Sequence, residues 1–83
     1  MSRAESARQS NERIAERAAQ LHFVSRVPML CECSDGECGQ IVLLTLEDYR
    51  EVRREADFLT APAHAVDGAS PISRKPGHWL HSR

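Results

Sequence analysis

The spacing of apolar and small residues in the first quarter of the chain predicts an amphipathic helix. Residues 3–21 contain no Gly or Pro, and Ser2 followed by Glu5 three positions later is typical of a capping box. Six residues recur three and four positions apart and define one seam: Ala4, Ala7, Asn11, Ile14, Ala18 and Leu21. Because this seam buries little area, the helix needs support from its own domain or from a second helix, where Asn11 would set the register.

Two apolar runs on either side of a cysteine cluster predict a β-hairpin. Residues 27–31 form a predicted edge strand, because Pro28 cannot donate a hydrogen bond to a neighbouring strand. Residues 41–44 are continuously apolar, which predicts a buried strand. Asp35-Gly36 supplies turn chemistry between the runs, and we expect Gly39 to adopt a backbone conformation that other residues avoid. The cysteines therefore lie in the turn of the hairpin.

A second helix is predicted after Thr45, whose hydroxyl can cap it, with Asp48 near the positive end of the helix dipole. Its buried stripe comprises Leu46, Tyr49, Val52 and Ala56. The charged residues of this helix are predicted to face water: Glu47, Arg50, Glu51, Arg53, Arg54 and Glu55.

The last third of the chain carries weaker signals. Phe58-Leu59 predicts a short extended segment that Pro62 stops, and Trp79-Leu80 predicts a last short strand or a segment packed on the sheet. The predicted fold class is therefore α+β: a small domain with a helix, a hairpin carrying the cysteine turn, a second helix and short C-terminal strands. We divide it into an N-terminal helix (1–22), a ββα core (23–66) and a loop-rich basic C-terminal segment (67–83).

Composition indicates that this domain needs a source of stability beyond its hydrophobic core. A chain of 83 residues with 41% apolar residues and 5% aromatic residues has a small core, and chains this short commonly rely on a metal, a disulfide or a partner. No apolar run approaches the length of a membrane span, and residues 1–22 do not resemble a signal peptide. We therefore expect a cytoplasmic protein without membrane contact, in a compartment that keeps thiols reduced.

Charge is distributed unevenly along the chain. Residues 31–57 hold eight acids against three arginines, whereas residues 68–83 hold Arg74, Lys75 and Arg83 and no acid. Three basic residues are few for a nucleic-acid binder, and the formal net charge is −1. Nucleic-acid binding is therefore the weakest functional hypothesis, and it would use Arg50, Arg53, Arg54, Arg74 and Lys75.

The cysteine cluster carries the clearest chemical signal. Cys31, Cys33 and Cys38 are the only three cysteines of the chain and lie within eight residues. An odd and clustered set makes a poor disulfide framework but offers soft ligands for zinc, and the same ligands also suit iron. Tetrahedral zinc needs sulfur atoms about 3.7 Å apart, which a tight turn can provide. The turn is therefore a predicted metal site with one ligand missing.

Four histidines are candidates for the fourth ligand: His22, His64, His78 and His81. The best placed is His64, because it follows Pro62, where the chain leaving the second helix can return to the hairpin turn. His78 and His81 are three positions apart, a spacing that suits a helix, but Pro76-Gly77 disfavours a helix there.

The order of these motifs resembles a group of small actinobacterial proteins with no established activity. The resemblance covers most of residues 11–64: Asn-Glu-Arg-Ile at 11–14, the Cys-x-Cys-x4-Cys turn, Leu-Thr-Leu-Glu-Asp-Tyr at 44–49 and Pro-Ala-His at 62–64. It implies a cysteine-histidine metal protein with His64 as the fourth ligand. Ala63 departs from the pattern, because this group usually has Gly there. Beyond Val66 the chain departs further, with Pro and Ser where the group has a charged, β-rich end.

These observations favour a structural role for the metal. A closed Cys3His zinc site leaves no position for a catalytic water, and the acids Glu32, Asp35 and Glu37 near the cysteines are predicted to be solvated. We therefore expect a non-enzymatic interaction or regulatory module that binds a protein partner or self-associates through the N-terminal helix. One alternative is a thiol redox sensor that releases zinc on oxidation, and another is a zinc-finger-like nucleic-acid binder.

Overall fold

The computed structural model describes residues 2–83, so Met1, at the start of the predicted 1–22 segment, lies outside it. Two helices and five strands follow the order α1 (Arg3–Gln20), β1 (Val27–Leu30), β2 (Ile41–Leu44), α2 (Leu46–Glu55), β3 (Phe58–Thr60), β4 (Ser70–Arg74) and β5 (Trp79–Ser82). They form a two-stranded sheet, β1-β2, and a three-stranded sheet ordered β3-β5-β4, in which all pairs are antiparallel. The predicted α+β class is confirmed.

Helix α1 packs on its own domain rather than standing free. The Ser2 hydroxyl accepts a hydrogen bond from the Glu5 amide at 3.2 Å, which is the predicted N-cap. Four members of the seam are buried: Ala4, Ala7, Asn11 and Ala18. Leu21 does not continue the buried seam and is 60% exposed, because the helix ends at Gln20.

The C-terminus of α1 is closed by a Schellman motif. The amide of His22 bonds to the Ala19 carbonyl at 3.1 Å, and the amide of Phe23 bonds to the Ala18 carbonyl at 2.9 Å. His22 has a φ of 53°, in the left-handed region that this motif requires. The chain therefore reverses direction directly after α1 and leads into β1.

Strands β1 and β2 form the predicted hairpin, with Val27 opposite Leu44 and Leu30 opposite Ile41. The prediction that β2 is wholly buried is wrong, because Ile41 and Leu43 are 48% and 54% exposed. Side chains alternate between the two faces of a strand, and only one face of this sheet packs on the core. Gly39 does not use the positive φ that glycine permits, since Gly68 is the one glycine with positive φ in residues 2–83.

Helix α2 packs against the same core with one face. The Thr45 hydroxyl accepts the Asp48 amide at 3.1 Å, as the sequence predicts for the N-cap. Tyr49, Val52 and Ala56 are buried, and Leu46 packs at the margin of the same cluster. The central members of this core are Met29, Val42, Leu44, Leu59 and Leu80, which come from both sheets.

The C-terminal region completes the domain with a sheet. β5 contains Trp79 and Leu80, so the predicted last strand is confirmed, and it lies between β3 and β4. The sequence analysis did not predict β4, whose residues are largely exposed. Neither of the helices in residues 2–83 combines the length and apolar character needed to cross a membrane.

Candidate metal centre

The structure brings the three cysteines and His64 into one cluster. The donor atoms of Cys31, Cys33, Cys38 and His64 all lie within 4.8 Å of one another. The Nδ1 atom of His64 is 3.5 Å from the sulfur of Cys31 and 3.5 Å from that of Cys38. A tetrahedral zinc with Zn–S of about 2.3 Å and Zn–N of about 2.0–2.1 Å requires sulfur and nitrogen about 3.5 Å apart. The four residues are therefore positioned to bind a metal ion.

Backbone hydrogen bonds shape the cysteine turn. The Cys31 amide bonds to the Gln40 carbonyl at 3.2 Å and extends the hairpin by one pair. The Cys38 amide then bonds to the Asp35 carbonyl at 3.1 Å, while the Asp35 carboxylate accepts the Glu37 amide at 2.9 Å. This local turn carries Cys38 back beside the two earlier cysteines without a left-handed residue.

A second turn presents His64 to the cysteines. It follows β3, and the His64 amide bonds to the Ala61 carbonyl at 3.2 Å. Ala63 has a φ of 68°, a left-handed conformation that glycine adopts far more readily than alanine. Position 63 is therefore the one in this turn that requires positive φ.

Hydrogen bonds from outside the turn hold the sulfur atoms and the nearby carbonyls. The Ala61 amide donates to the Cys31 sulfur at 3.2 Å. The Arg3 guanidinium donates to the Cys33 carbonyl at 2.8 Å, to the Cys38 carbonyl at 3.1 Å and to the Cys31 carbonyl, and it lies 3.8 Å from the Cys33 sulfur. Groups that orient metal ligands in this way raise the affinity of a site. Helix α1 therefore contributes directly to the centre.

The electrostatics of the thiols differ across the cluster. Burial raises the pKa of the Cys31 thiol to about 12, so its protein surroundings alone favour the neutral form. Burial also acts to raise the pKa of Cys38, but hydrogen bonds from Gln40 and the other cysteines, together with the charge of Arg3, lower it overall. A bound dication would ionise all three thiols, because thiolate is the ligand form of cysteine.

Two of the four candidate ligands are accessible to solvent. Cys31 and Cys33 are buried, whereas Cys38 and His64 are partly exposed. An open hollow of about 460 Å³ lies beside His64 and is bordered by Asp35 and Asp67. The centre therefore lies at the edge of the domain, with two ligands in the interior and two near the surface.

Sequence reasoning missed the role of Glu32, which was predicted to be solvated but is fully buried. Its carboxylate accepts hydrogen bonds from the Asn11 amide group at 2.6 Å and from the Leu59 backbone amide at 2.8 Å. Both of its oxygens also meet the Arg53 guanidinium, so the prediction that Arg53 faces water is wrong as well. The Cys-x-Cys alternation was the available signal, because it points Glu32 away from the two sulfurs.

The other three histidines lie outside the cluster. His22 is exposed and is the left-handed residue of the Schellman motif that follows α1. His78 lies beside the acidic face of α2, and burial, together with Lys75, lowers its pKa. His81 is buried in β5, where its Nε2 atom is 2.8 Å from the Thr60 hydroxyl. Of the candidates, only His64 meets the cysteines within residues 2–83.

Comparison of the chain with protein-family models, curated proteins and solved structures finds no match.

Proposed function

We propose that Cys31, Cys33, Cys38 and His64 bind one zinc ion, and that this ion is structural. The observation that carries the proposal is the cluster itself, in which the Nδ1 atom of His64 lies 3.5 Å from the Sγ atoms of both Cys31 and Cys38. Three thiolates and one imidazole complete the tetrahedral shell of zinc, so no position remains for a reactive water. Zinc is favoured over iron because a mixed set of thiolate and imidazole ligands is typical of structural zinc sites.

The zinc would supply stability that the small hydrophobic core of this domain does not. The cysteine turn and the His64 turn belong to different segments, and the ion would join them across 26 to 33 positions of sequence. Binding energy at such a site is folding energy, because the unfolded chain has no preformed site. We therefore assign the chain a non-enzymatic role, as an interaction or regulatory module whose surfaces the zinc holds in place.

Native mass spectrometry of protein prepared without chelator tests this proposal. We expect one zinc per chain in the wild type and in His78→Ala, and a loss of at least ten-fold in zinc affinity in His64→Ala. Protein that is folded yet free of zinc would overturn the proposal. Full affinity in His64→Ala would overturn the assignment of the fourth ligand alone.

A second candidate, a thiol redox sensor, is supported by the partial exposure of Cys38. Hydrogen peroxide would take two electrons from two thiolates to form a disulfide, with two hydroxide ions as the other product, and the zinc would leave. A sensor should release zinc at micromolar peroxide, and Cys38→Ser should slow this release. Retention of zinc at millimolar peroxide would exclude this candidate.

Two further assignments belong to the proposal, and one alternative is set aside. We assign the chain to the small actinobacterial proteins that its motifs resemble, and to the cytoplasm, where thiolates stay reduced. The nucleic-acid hypothesis is not favoured, because Arg53, one of its five basic residues, is engaged by Glu12 and Glu32.

A further inference from the structure

An open apolar groove runs between α1 and β1, away from the cysteine turn. It has a volume of about 550 Å³, and its apolar lining comprises Ile14, Ala18, Leu21, Phe23, Val27 and Pro28. Leu21 and Phe23 are 60% and 45% exposed, and the adjacent Val24 is 89% exposed. An exposed apolar groove with a polar rim is a candidate interaction site.

The end of α1 builds one wall of the groove. The left-handed His22 turns the chain back, and the Phe23 amide bonds to the Ala18 carbonyl at 2.9 Å. This motif commonly brings the residue at the Phe23 position against the last turn of the helix. Phe23 and Ala18 therefore line the same groove, and backbone hydrogen bonds fix its shape.

Two arginines form the polar rim. Arg13 and Arg17 line the groove one helical turn apart and are exposed. The ion pairs formed within residues 2–83 involve Arg53 and Arg83, so neither rim arginine has an acidic partner there. Two like charges at this spacing destabilise a helix slightly. The rim therefore presents positive charge that an external acid can neutralise.

The groove edge of β1 cannot pair with an extended peptide. Pro28 has no amide hydrogen, and the Leu30 amide and carbonyl are both bound by the Asn11 side chain, at 2.7 and 2.9 Å. A helix needs no such pairing, because its backbone groups are satisfied internally. The wall formed by residues 10–21 is about 17 Å long at 1.5 Å per residue, which matches a partner helix of about three turns.

We propose that this groove binds an amphipathic helix of a partner protein, with apolar residues on one face and Asp or Glu beside it. This inference rests on the proposed function as an interaction module and names the partner chemistry. A second copy of the chain does not fit, because a two-fold contact at this surface would bring Arg13 and Arg17 of both copies together. The two exposed arginines of the rim therefore select Asp or Glu on the partner helix.

The test is selection from a displayed library of 16-residue helical peptides. The apolar face is fixed with Leu at positions spaced three and four apart, and the flanking positions vary among Glu, Lys and Gln. We expect enrichment of Glu at the flanks, and at least ten-fold weaker binding of a selected peptide to the Leu21→Ser, Phe23→Ser variant. No enrichment, preference for Lys, or equal binding to this variant would overturn the proposal.

A charge exchange makes the assignment specific. The Arg13→Glu, Arg17→Glu variant should bind the Glu peptide at least ten-fold more weakly than the wild type and should bind the matching Lys peptide more tightly. The control variant Arg50→Glu, Arg54→Glu should change neither affinity more than two-fold. The control pair has the same spacing on the exposed face of α2. Equal effects of both pairs would contradict a groove site.

The same series of variants tests two other occupants of the groove, a second copy of the chain and a lipid membrane. Sedimentation tests whether the wild-type protein dimerises, and vesicles of phosphatidylcholine and phosphatidylserine test whether it binds a membrane. Either property, if it is lost in the Leu21→Ser, Phe23→Ser variant, would overturn the helix assignment. Zinc content is measured for every variant. A zinc-loaded protein that selects no peptide refutes the groove alone, whereas a folded protein without zinc refutes the proposed function.

Discussion

Glu32 in the cysteine turn and Arg53 in α2 form a buried ion pair in which both carboxylate oxygens meet the guanidinium. Glu32 is fully buried, and the Arg53 side chain is 12% exposed. The carboxylate also accepts hydrogen bonds from Asn11 in α1 and from the Leu59 amide in β3. One acid beside the candidate metal ligands therefore joins both helices and the second sheet.

We expect Glu32→Gln to lower the free energy of unfolding by about 3 kcal/mol, the low end of the range for a broken buried pair, because Arg53 then keeps only the half-exposed Glu12 as an acidic partner in residues 2–83. The measurement is denaturant unfolding of zinc-saturated protein, with Glu55→Gln on the exposed face of α2 as the control. The double variant Glu32→Gln, Arg53→Met should lose less than the sum of the single variants. A loss in Glu32→Gln no larger than in Glu55→Gln would show that the pair contributes little.

Arg3 should strengthen metal binding although it is not a ligand. Its guanidinium donates to carbonyls of all three cysteine residues, so Arg3→Ala removes three hydrogen bonds between α1 and the cysteine turn. Loss of such an orienting group typically costs about 10–100-fold in metal affinity. Competition with a chelator of known zinc affinity measures this, and Arg8→Ala on the same helix is the control. Equal zinc affinities in the two variants would contradict this role of Arg3.

Ala63→Gly should stabilise the protein. A left-handed conformation costs an L-residue about 1–2 kcal/mol, and the greater freedom of glycine when unfolded offsets part of this gain, so we expect a net gain of about 0.5–1 kcal/mol. Ala65→Gly, two residues away and without positive φ, should destabilise instead. Thermal unfolding of both variants at saturating zinc decides the point. Destabilisation in both would mean that the His64 turn gains nothing from glycine.

His81 should titrate below its ordinary range. Burial, with the charge of Arg74 added, lowers its pKa, and its surroundings are the Thr60 hydroxyl and the Trp79 ring. The neutral ring therefore stabilises the fold fully above the unfolded pKa of about 6.5. This stabilisation declines as pH falls from there towards the folded pKa, because the unfolded chain then binds more protons. An NMR titration of the ring that gives a folded pKa at or above that of the denatured chain would contradict this.

Local signals predicted much of the fold. Ser2 and Thr45 mark the two helix starts because a capping hydroxyl acts on amides only three residues away. The position of Asn11 on the α1 seam was also predicted, but its partners Leu30 and Glu32 come from the hairpin and could not be read from the helix. The single-sided burial of β2 could not be predicted either, because a run of four apolar residues has no polar alternation to mark its exposed face.

Long-range partners account for the remaining misses. Glu32 and Arg53 looked like ordinary surface charges because each finds its partner 21 positions away in the sequence. The clustering of Cys31, Cys33 and Cys38 was predictable from their spacing, since the three lie in one turn. His64 was harder to identify, because its approach depends on β3 and on the left-handed Ala63.

X-ray absorption spectroscopy at the zinc edge tests the central claim most directly. For zinc-loaded wild-type protein we expect three sulfur ligands at about 2.3 Å and one nitrogen ligand at about 2.0–2.1 Å. In His64→Ala the nitrogen shell should be lost or replaced by oxygen, while His78→Ala should give the wild-type spectrum. A spectrum of the wild type with no sulfur shell, or with two sulfurs or fewer, would contradict a Cys3His zinc centre.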